Sequence, residues 1–269
     1  MKPAYLLVMI LVLASFSWAI EIIEPKIAKD ITDDSVLDIG TIGPGQTISV
    51  AIHPKVYDGG KFGTGGRYDF ATVEGLPFGW KGKNSKIYGD PLQVEITADK
   101  NAAEGEYSAK ITAHDENNGE MLGTVAFTVK VKIVHDVLDT SVSPSSITVG
   151  PGQPARFAIT VTNKGTASDV FIVSATGVER WIFEKPVYVP AMSSRTVVYE
   201  ITENEEERYF PDIKIVSASS EIIQEDHKVV FSVQPNLLSD FKAANHGIFI
   251  FPIFEAPIYA LAGLISNLW

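Results

Sequence analysis

Five histidines, His53, His114, His135, His227 and His246, are the first residues to test for metal or acid–base chemistry in this 269-residue chain. No two stand at i,i+2 or i,i+4, and neither HExxH nor a cysteine accompanies them, so they do not compose a zinc site. Carboxylates cluster at Asp33-Asp34, at Asp115-Glu116 and at Glu203, Glu205, Glu206 and Glu207. None of these runs spells the D-x-[DN]-x-[DN]-G loop, so calcium binding is not the expected role. The segment 114–120 reads as a hairpin turn, with Asn118-Gly119 supplying the positive φ angles. A glycine-rich stretch, YDGGKFGTGGRY at 57–68, invites comparison with a phosphate loop. It fails, because no glycine stands five residues before Gly60-Lys61 and no helix pattern follows. There is no G-x-S-x-G elbow, and no carboxylate pair stands out for glycoside hydrolysis. The expectation is a chain with no catalytic, metal-binding or cofactor-binding residues, hence not an enzyme.

Composition narrows the classes further. With 22 Lys+Arg against 33 Asp+Glu the net charge is −11, which argues against nucleic acid as a partner, since phosphate binding needs clustered cations. The absence of cysteine removes disulfides, thiolate metal sites and thiol nucleophiles. A hydrophobic share of 45% with 20% charged residues is that of a globular chain.

Both ends carry apolar blocks. Residues 1–19 have one basic residue, Lys2, an apolar run from Tyr5 to Phe16, and small residues Ser17 and Ala19 before Ile20. That is the layout of a cleavable secretory signal peptide. Residues 247–269, GIFIFPIFEAPIYALAGLISNLW, would span ~34 Å as a helix, close to the hydrocarbon thickness of a bilayer. Eleven Leu, Ile and Phe residues favour insertion by about 5 kcal/mol. Glu255 opposes it by about 3 kcal/mol if ionised, and Pro252 and Pro257 add a further penalty. The favoured reading is a membrane anchor, bent at the prolines or covered by a membrane partner that pairs Glu255. Its rival is a buried strand or helix of a soluble domain.

Between the ends, short stretches alternate apolar and polar residues. They include 47–52, 93–96, 124–131, 155–161 and 228–233, separated by Gly, Pro, Asn and Asp. Period two with regular turn signals predicts antiparallel sheets with one buried face, and only 237–244 suggests a short helix. The two halves also repeat each other. GPGQ at 43–46 recurs at 150–153, Trp80 at Trp181, Glu95-Ile96-Thr97 at Glu200-Ile201-Thr202, and Tyr107 at Tyr209. Lys110-Ile111 recurs at Lys214-Ile215 and Phe127 at Phe231, all at offsets of 101 to 107. Six matches in order at nearly constant spacing are a duplication. Each copy, about a hundred residues long, fits a seven-strand immunoglobulin-like β-sandwich, with Trp80 and Trp181 expected as core aromatics. From Gln46 to Gly75 the first copy runs 29 residues, against 24 from Gln153 to Gly177 in the second. The glycine-rich stretch is therefore a five-residue loop expansion. It reads either as a flexible turn or as a partner-contact loop presenting Tyr57, Phe62 and Tyr68.

The second copy runs SPSSITVGPGQ from Ser143 to Gln153 and then FAITVTNKGTA from Phe157 to Ala167. This resembles the PGQ…F-x-I-T-V-x-N-x-G signature of immunoglobulin-like modules, of the CARDB and alpha-galactosidase-associated kind, in prokaryotic surface proteins. The first copy departs from it where glycines replace the Asn-x-Gly turn. The resemblance implies an extracellular spacer or adhesive module, of bacterial or, more closely, archaeal type, and brings no catalytic residues.

The resulting reading is all-β: a signal peptide at 1–19, two tandem immunoglobulin-like sandwiches at 20–134 and 136–234, a linker at 235–246 and a membrane segment at 247–269. The expected role is structural, adhesive or protein-binding, at the cell membrane with the sandwiches outside. The expected partners are the membrane and another envelope or membrane protein. The alternative is an accessory subunit of a membrane complex whose tail packs into a partner. Deleting 247–269 is expected to release the chain into the medium, while Glu255→Leu keeps it on the membrane. A truncated chain that stays with membranes through a carbonate wash would put the anchor elsewhere.

Overall fold

A computed structural model describes residues 19–57, 62–116, 122–179 and 181–234. The signal peptide up to residue 18, the Asn118-Gly119 turn, the linker with its expected helix, and the tail with Pro252, Glu255 and Pro257 lie outside the described residues. Among the described residues, no helix is long and apolar enough to cross a membrane. The chain divides into two compact units. Unit 1 takes the chain up to Val137 with Lys164–Asp169 and Pro190–Met192; unit 2 takes Leu138–Asn163, Val170–Val189 and the chain from Ser193.

Unit 1 begins with β1 (Ile20–Glu24), β2 (Ala28–Ile31), β3 (Val36–Ile42) and β4 (Thr47–Ile52). A small hairpin, β5 (Lys55–Val56) with β6 (Gly66–Arg67), precedes β7 (Phe70–Glu74) and β8 (Lys81–Lys83). The last three are β9 (Leu92–Thr97), β10 (Gly105–His114) and β11 (Thr124–Ile133). One sheet has the order β2-β1-β4-β9-β8 and the other β3-β11-β10-β7. Leaving β2 aside, this is the A-B-E-D and G-F-C arrangement of an immunoglobulin sandwich, with β3 added in parallel beside β11. The inward rows are those the alternation marked: Ile48, Val50 and Ile52 on β4, Leu92, Val94 and Ile96 on β9, and Val125, Phe127, Val129 and Val131 on β11. They join one continuous core with Ala109, Ile111 and Ala113 of β10. Each large side chain in it contributes about 1.5–3 kcal/mol by leaving water.

Unit 2 repeats the plan with β12 (Leu138–Ser143), β13 (Ser146–Val149), β14 (Pro154–Asn163), β15 (Asp169–Thr176) and β16 (Lys185–Val189). There follow β17 (Ser193–Thr202), β18 (Arg208–Tyr209), β19 (Asp212–Ser217), β20 (Gln224–Lys228) and β21 (Val230–Val233). Here β12-β14-β17 form one sheet, β16-β15-β19-β20 a second, and β13-β21-β18 a third. As β3 does beside β11 in unit 1, β13 runs parallel to the last strand of its unit, β21. Besides β2 and the β5–β6 hairpin of unit 1, the units differ in an edge strand: β8 covers the edge of β9 in unit 1, whereas β16 pairs with β15 and leaves β17 at a sheet edge.

Both GPGQ sequences form the same turn. Gln46 N donates to Gly43 O at 3.3 Å, Gln153 N donates to Gly150 O at 3.0 Å, and Gly45 and Gly152 both have φ of 70°. Proline second and positive-φ glycine third is the type II pattern. Each turn is fastened alike, Gly45 N donating to Asp99 O and Gly152 N to Glu203 O, both at 3.0 Å. The matched tyrosines are equivalent too. Tyr107 Oη donates to Ala103 O at 2.9 Å and Tyr209 Oη to Glu205 O at 3.2 Å, each four residues back. That is the tyrosine corner of immunoglobulin-like sandwiches.

The tryptophans do not sit where the sequence reading put them. Trp80 and Trp181 are only half-buried, in loops that follow β7 and β15 rather than on strands. Trp80 lies against Tyr107 with ring centroids 5.0 Å apart, and Trp181 Nε1 donates to Tyr199 Oη at 3.0 Å. Phe127 in unit 1 and Phe157, Phe171, Tyr199 and Phe231 in unit 2 are the buried aromatics on strands. Tyr107→Phe and Tyr209→Phe should each lower stability by about 1 kcal/mol, the net value of one hydrogen bond, read as a fall in the urea midpoint. Equal midpoints for wild type and variants would deny the corner that role.

Candidate interaction surface

The described parts of three loops of unit 1, at 53–57 with 62–69, at 84–91 and at 115–116 with 122–123, are tied together, and Asp69 is the fastener. It is 4% exposed, its N donates to His114 O at 3.2 Å, and its O accepts from Tyr88 N at 2.7 Å. Asp69 Oδ1 accepts from Glu116 N at 2.7 Å. One buried residue thereby joins all three loops, and the neighbouring Arg67 adds a second tie. Its guanidinium donates to Gly89 O at 3.2 Å and stands 3.4 Å from the Asp90 carboxylate. His114 closes the third loop, with Nε2 2.8 Å from Glu116 Oε1 and its ring edge-on to Phe70.

The glycine-rich stretch is explained by close packing as far as it is described. A Cβ on Gly65, whose φ is +69°, would lie 2.1 Å from Val56 O, and one on Gly66 would lie 2.8 Å from Leu122. Only glycine permits the 55–67 hairpin to close this tightly. Tyr57 and Phe62 stand on it, 77% and 66% exposed, as the partner-loop reading requires. Tyr68 does not: it is fully buried, a correction to the expectation that it faces outward. Its N donates to Pro54 O at 2.8 Å, folding the ring back into the core of unit 1. Its hydroxyl is buried without a hydrogen-bond partner among the described residues. Burial above all, and then the nearby carboxylates of Asp33 and Asp115, push its phenol up to about 12.

The loop 84–91 brings two further exposed side chains that sequence reasoning missed, Ile87 at 58% and Tyr88 at 62%. Tyr88 has φ of 61°, uncommon for a bulky residue, and its hydrogen bond to Asp69 holds it there. The available signal was the turn chemistry of Tyr88-Gly89-Asp90-Pro91. The arrangement offers an aromatic and aliphatic surface on loops already fixed in place. It aligns no nucleophile with a base. Among the described residues, no group of three or more His, Asp or Glu is arranged to hold a metal ion. His53, His135 and His227 instead contact backbone or a hydroxyl within their own units.

No protein-family model matches the chain, and no curated protein matches it. Solved structures that it is similar to include titin domains, fibronectin(III)-like modules and intimin domains. A chimeric titin Z1Z2 carrying a decorin peptide shares 14% identity at a TM-score of 0.35, covering 82% of this chain and 99% of that one. The fibronectin(III)-like modules of Clostridium thermocellum CbhA share 12% at 0.28, covering 80% and 94%. The D00-D0 domain of intimin shares 14% at 0.24, covering 79% and 98%. At these scores the assignment of an immunoglobulin-like sandwich rests on strand order and the tyrosine corners, not on the neighbours.

Tyr68→Phe should raise stability at neutral pH by about 1 kcal/mol, because it removes an unpaired buried hydroxyl and leaves the ring in place. It should also flatten the alkaline limb. A phenol raised from 10 to about 12 stabilises the fold fully below pH ~10, and that contribution is lost as pH rises through 12. Denaturant melts from pH 7 to 12 read both effects; a variant less stable than wild type at pH 7 would mean that the hydroxyl has a partner.

Proposed function

We propose that this chain is a non-enzymatic, membrane-anchored extracytoplasmic protein that binds another envelope protein through the converged loops of unit 1. One observation carries the reading: Asp69 ties three loops together, and Tyr57, Phe62, Ile87 and Tyr88 on those loops are exposed at some cost in solvation. Surfaces made of rigid aromatic side chains on prefixed loops lose little entropy on binding, which suits protein recognition. The signal-peptide layout, the apolar tail and the resemblance to prokaryotic surface modules support the extracytoplasmic address. A second reading, an accessory subunit of a membrane complex, draws on Glu255 between Pro252 and Pro257, since a simple anchor has no use for a carboxylate near its centre.

The test is a photo-crosslinking residue placed at 57, 62 or 87 of the full chain in its own envelope. A discrete protein adduct is expected from these positions and not from Glu106, and Asp69→Ala should diminish it severalfold by loosening the loops. Adducts no stronger than from Glu106 would overturn the assignment of this surface.

A further inference from the structure

Unit 2 carries a second surface, distinct from the loops of unit 1. A cleft of ≈ 420 Å³ is lined by Glu179, Glu203, Glu205, Glu207, Tyr209 and Phe210, together with Gly177 and Arg208. Its aromatic wall is open: Phe210 is 63% exposed, with the Arg208 guanidinium 5.4 Å from its ring centre, while Tyr209 is stacked on the buried Phe231. Gly177 passes so close to Phe210 that an added Cβ would lie 3.2 Å from its carbonyl oxygen. The loop leaving Gly177 then presents Ile182, 91% exposed, and Phe183, 52% exposed. Phe210 thus stands in a carboxylate rim, and Ile182 and Phe183 are exposed further along the loop that Gly177 opens.

The other copy supplies an internal control. At the same corner of unit 1 the chain reads Lys100-Asn101-Ala102-Ala103-Glu104, and its tyrosine corner forms without a carboxylate run. Glu104 there is engaged, accepting from His135 N at 2.9 Å. The fold therefore does not require the glutamates of unit 2. Among the described residues Glu179, Glu203, Glu205, Glu206 and Glu207 form no ion pair. The Tyr209 phenol lies above its ordinary pKa, through burial first and then Glu203, Glu207, Glu205 and Glu179. Like charges gathered around exposed apolar groups are unfavourable in the free protein and favourable against a complementary surface.

We infer that this cleft, with Ile182, Phe183 and Phe210, docks a protein segment in which lysines or arginines flank apolar side chains. Charge selects that occupant. Among the described lining residues an anionic lipid surface would meet four glutamates against one arginine, and a second copy of a chain of net charge −11 is repelled in the same way. The cations of the segment face the carboxylates while its apolar side chains cover Phe210 and Ile182.

The experiment titrates the full chain with two labelled peptides, GKLFKLKG and the apolar-free GKSGKSKG, following anisotropy at 50 and 300 mM salt. GKLFKLKG should bind at least tenfold more tightly than GKSGKSKG. The triple variant Glu203→Gln, Glu205→Gln, Glu207→Gln should weaken it tenfold or more and remove most of its salt dependence. Phe210→Ser, at a site too exposed to unfold the unit, should weaken it about fivefold, and Phe78→Ser in unit 1 should leave it unchanged. Equal binding of the two peptides, no binding of either, or wild-type affinity in both cleft variants overturns the inference. The crosslinking at residues 57, 62 and 87 stands or falls independently of these outcomes.

Discussion

An open sandwich leaves sheet edges, and how these edges are closed governs what else each unit can do. An unpaired edge strand offers a row of amide and carbonyl groups to any other strand. In unit 1 the outer edge of β7 is met by side chains: Ala71 N donates to Ser85 Oγ at 2.8 Å and Val73 N to Asn84 Oδ1 at 3.1 Å. The other sheet ends on β8, short and carrying Lys81 and Lys83 exposed to water. Unit 2 lacks a counterpart of β8 over β17, so long side chains do the closing. Lys185 Nζ donates to Val198 O at 2.6 Å and Arg195 to Tyr188 O at 3.0 Å, stitching β16 and β17 in both directions. On the opposite seam Thr140 N donates to Glu225 Oε2 at 2.9 Å, and the Thr140 hydroxyl bridges Glu225 and His227.

Where β7, the β16–β17 seam and the β12–β20 seam are met by side chains, strand addition is a poor route to a partner. The remaining surfaces are sheet faces and loops. The outer face of β14 and β17 is polar, its Thr160–Thr196 and Thr162–Ser194 hydroxyl pairs already satisfying one another. The large exposed apolar side chains stand chiefly on loops and turns: Tyr57, Phe62, Ile87 and Tyr88 in one unit, Ile182, Phe183 and Phe210 in the other. Loops can change length and composition without disturbing the core they are mounted on, so divergence collects there.

Much of this scaffold was legible in the residues, because period-two alternation and turn chemistry are local signals. The alternating runs on β4, β9, β11 and β14 hold their inward faces, and the matched glycines and tyrosines occupy matched turns. The reading failed where distant residues decide. The run 228–233 reads as one strand, yet the strand breaks at Val229, whose N donates to Pro211 O across a facing strand that Pro211 has also interrupted. Tyr68 follows five glycines in a stretch that looks like open loop, and the β5–β6 pairing turns it inward. The joining role of Asp69 left no local trace, because its partners lie 19 to 47 residues away.

The two copies have diverged at the positions their shared frame leaves free. Both keep the type II turn, the parallel final pairing and the tyrosine corner, which are the contacts that fix strand order. Unit 1 departs by lengthening the loop after β4 and binding it to its neighbours through Asp69. Unit 2 departs at the corner before β18, where carboxylates replace alanines and phenylalanine becomes exposed. The change in unit 1 also carries Val56 and Tyr68 into the core, but each change leaves apolar side chains in water that a free-standing module would do better to bury. Duplication followed by divergence confined to such surfaces is what selection for contact, rather than for stability, would leave behind.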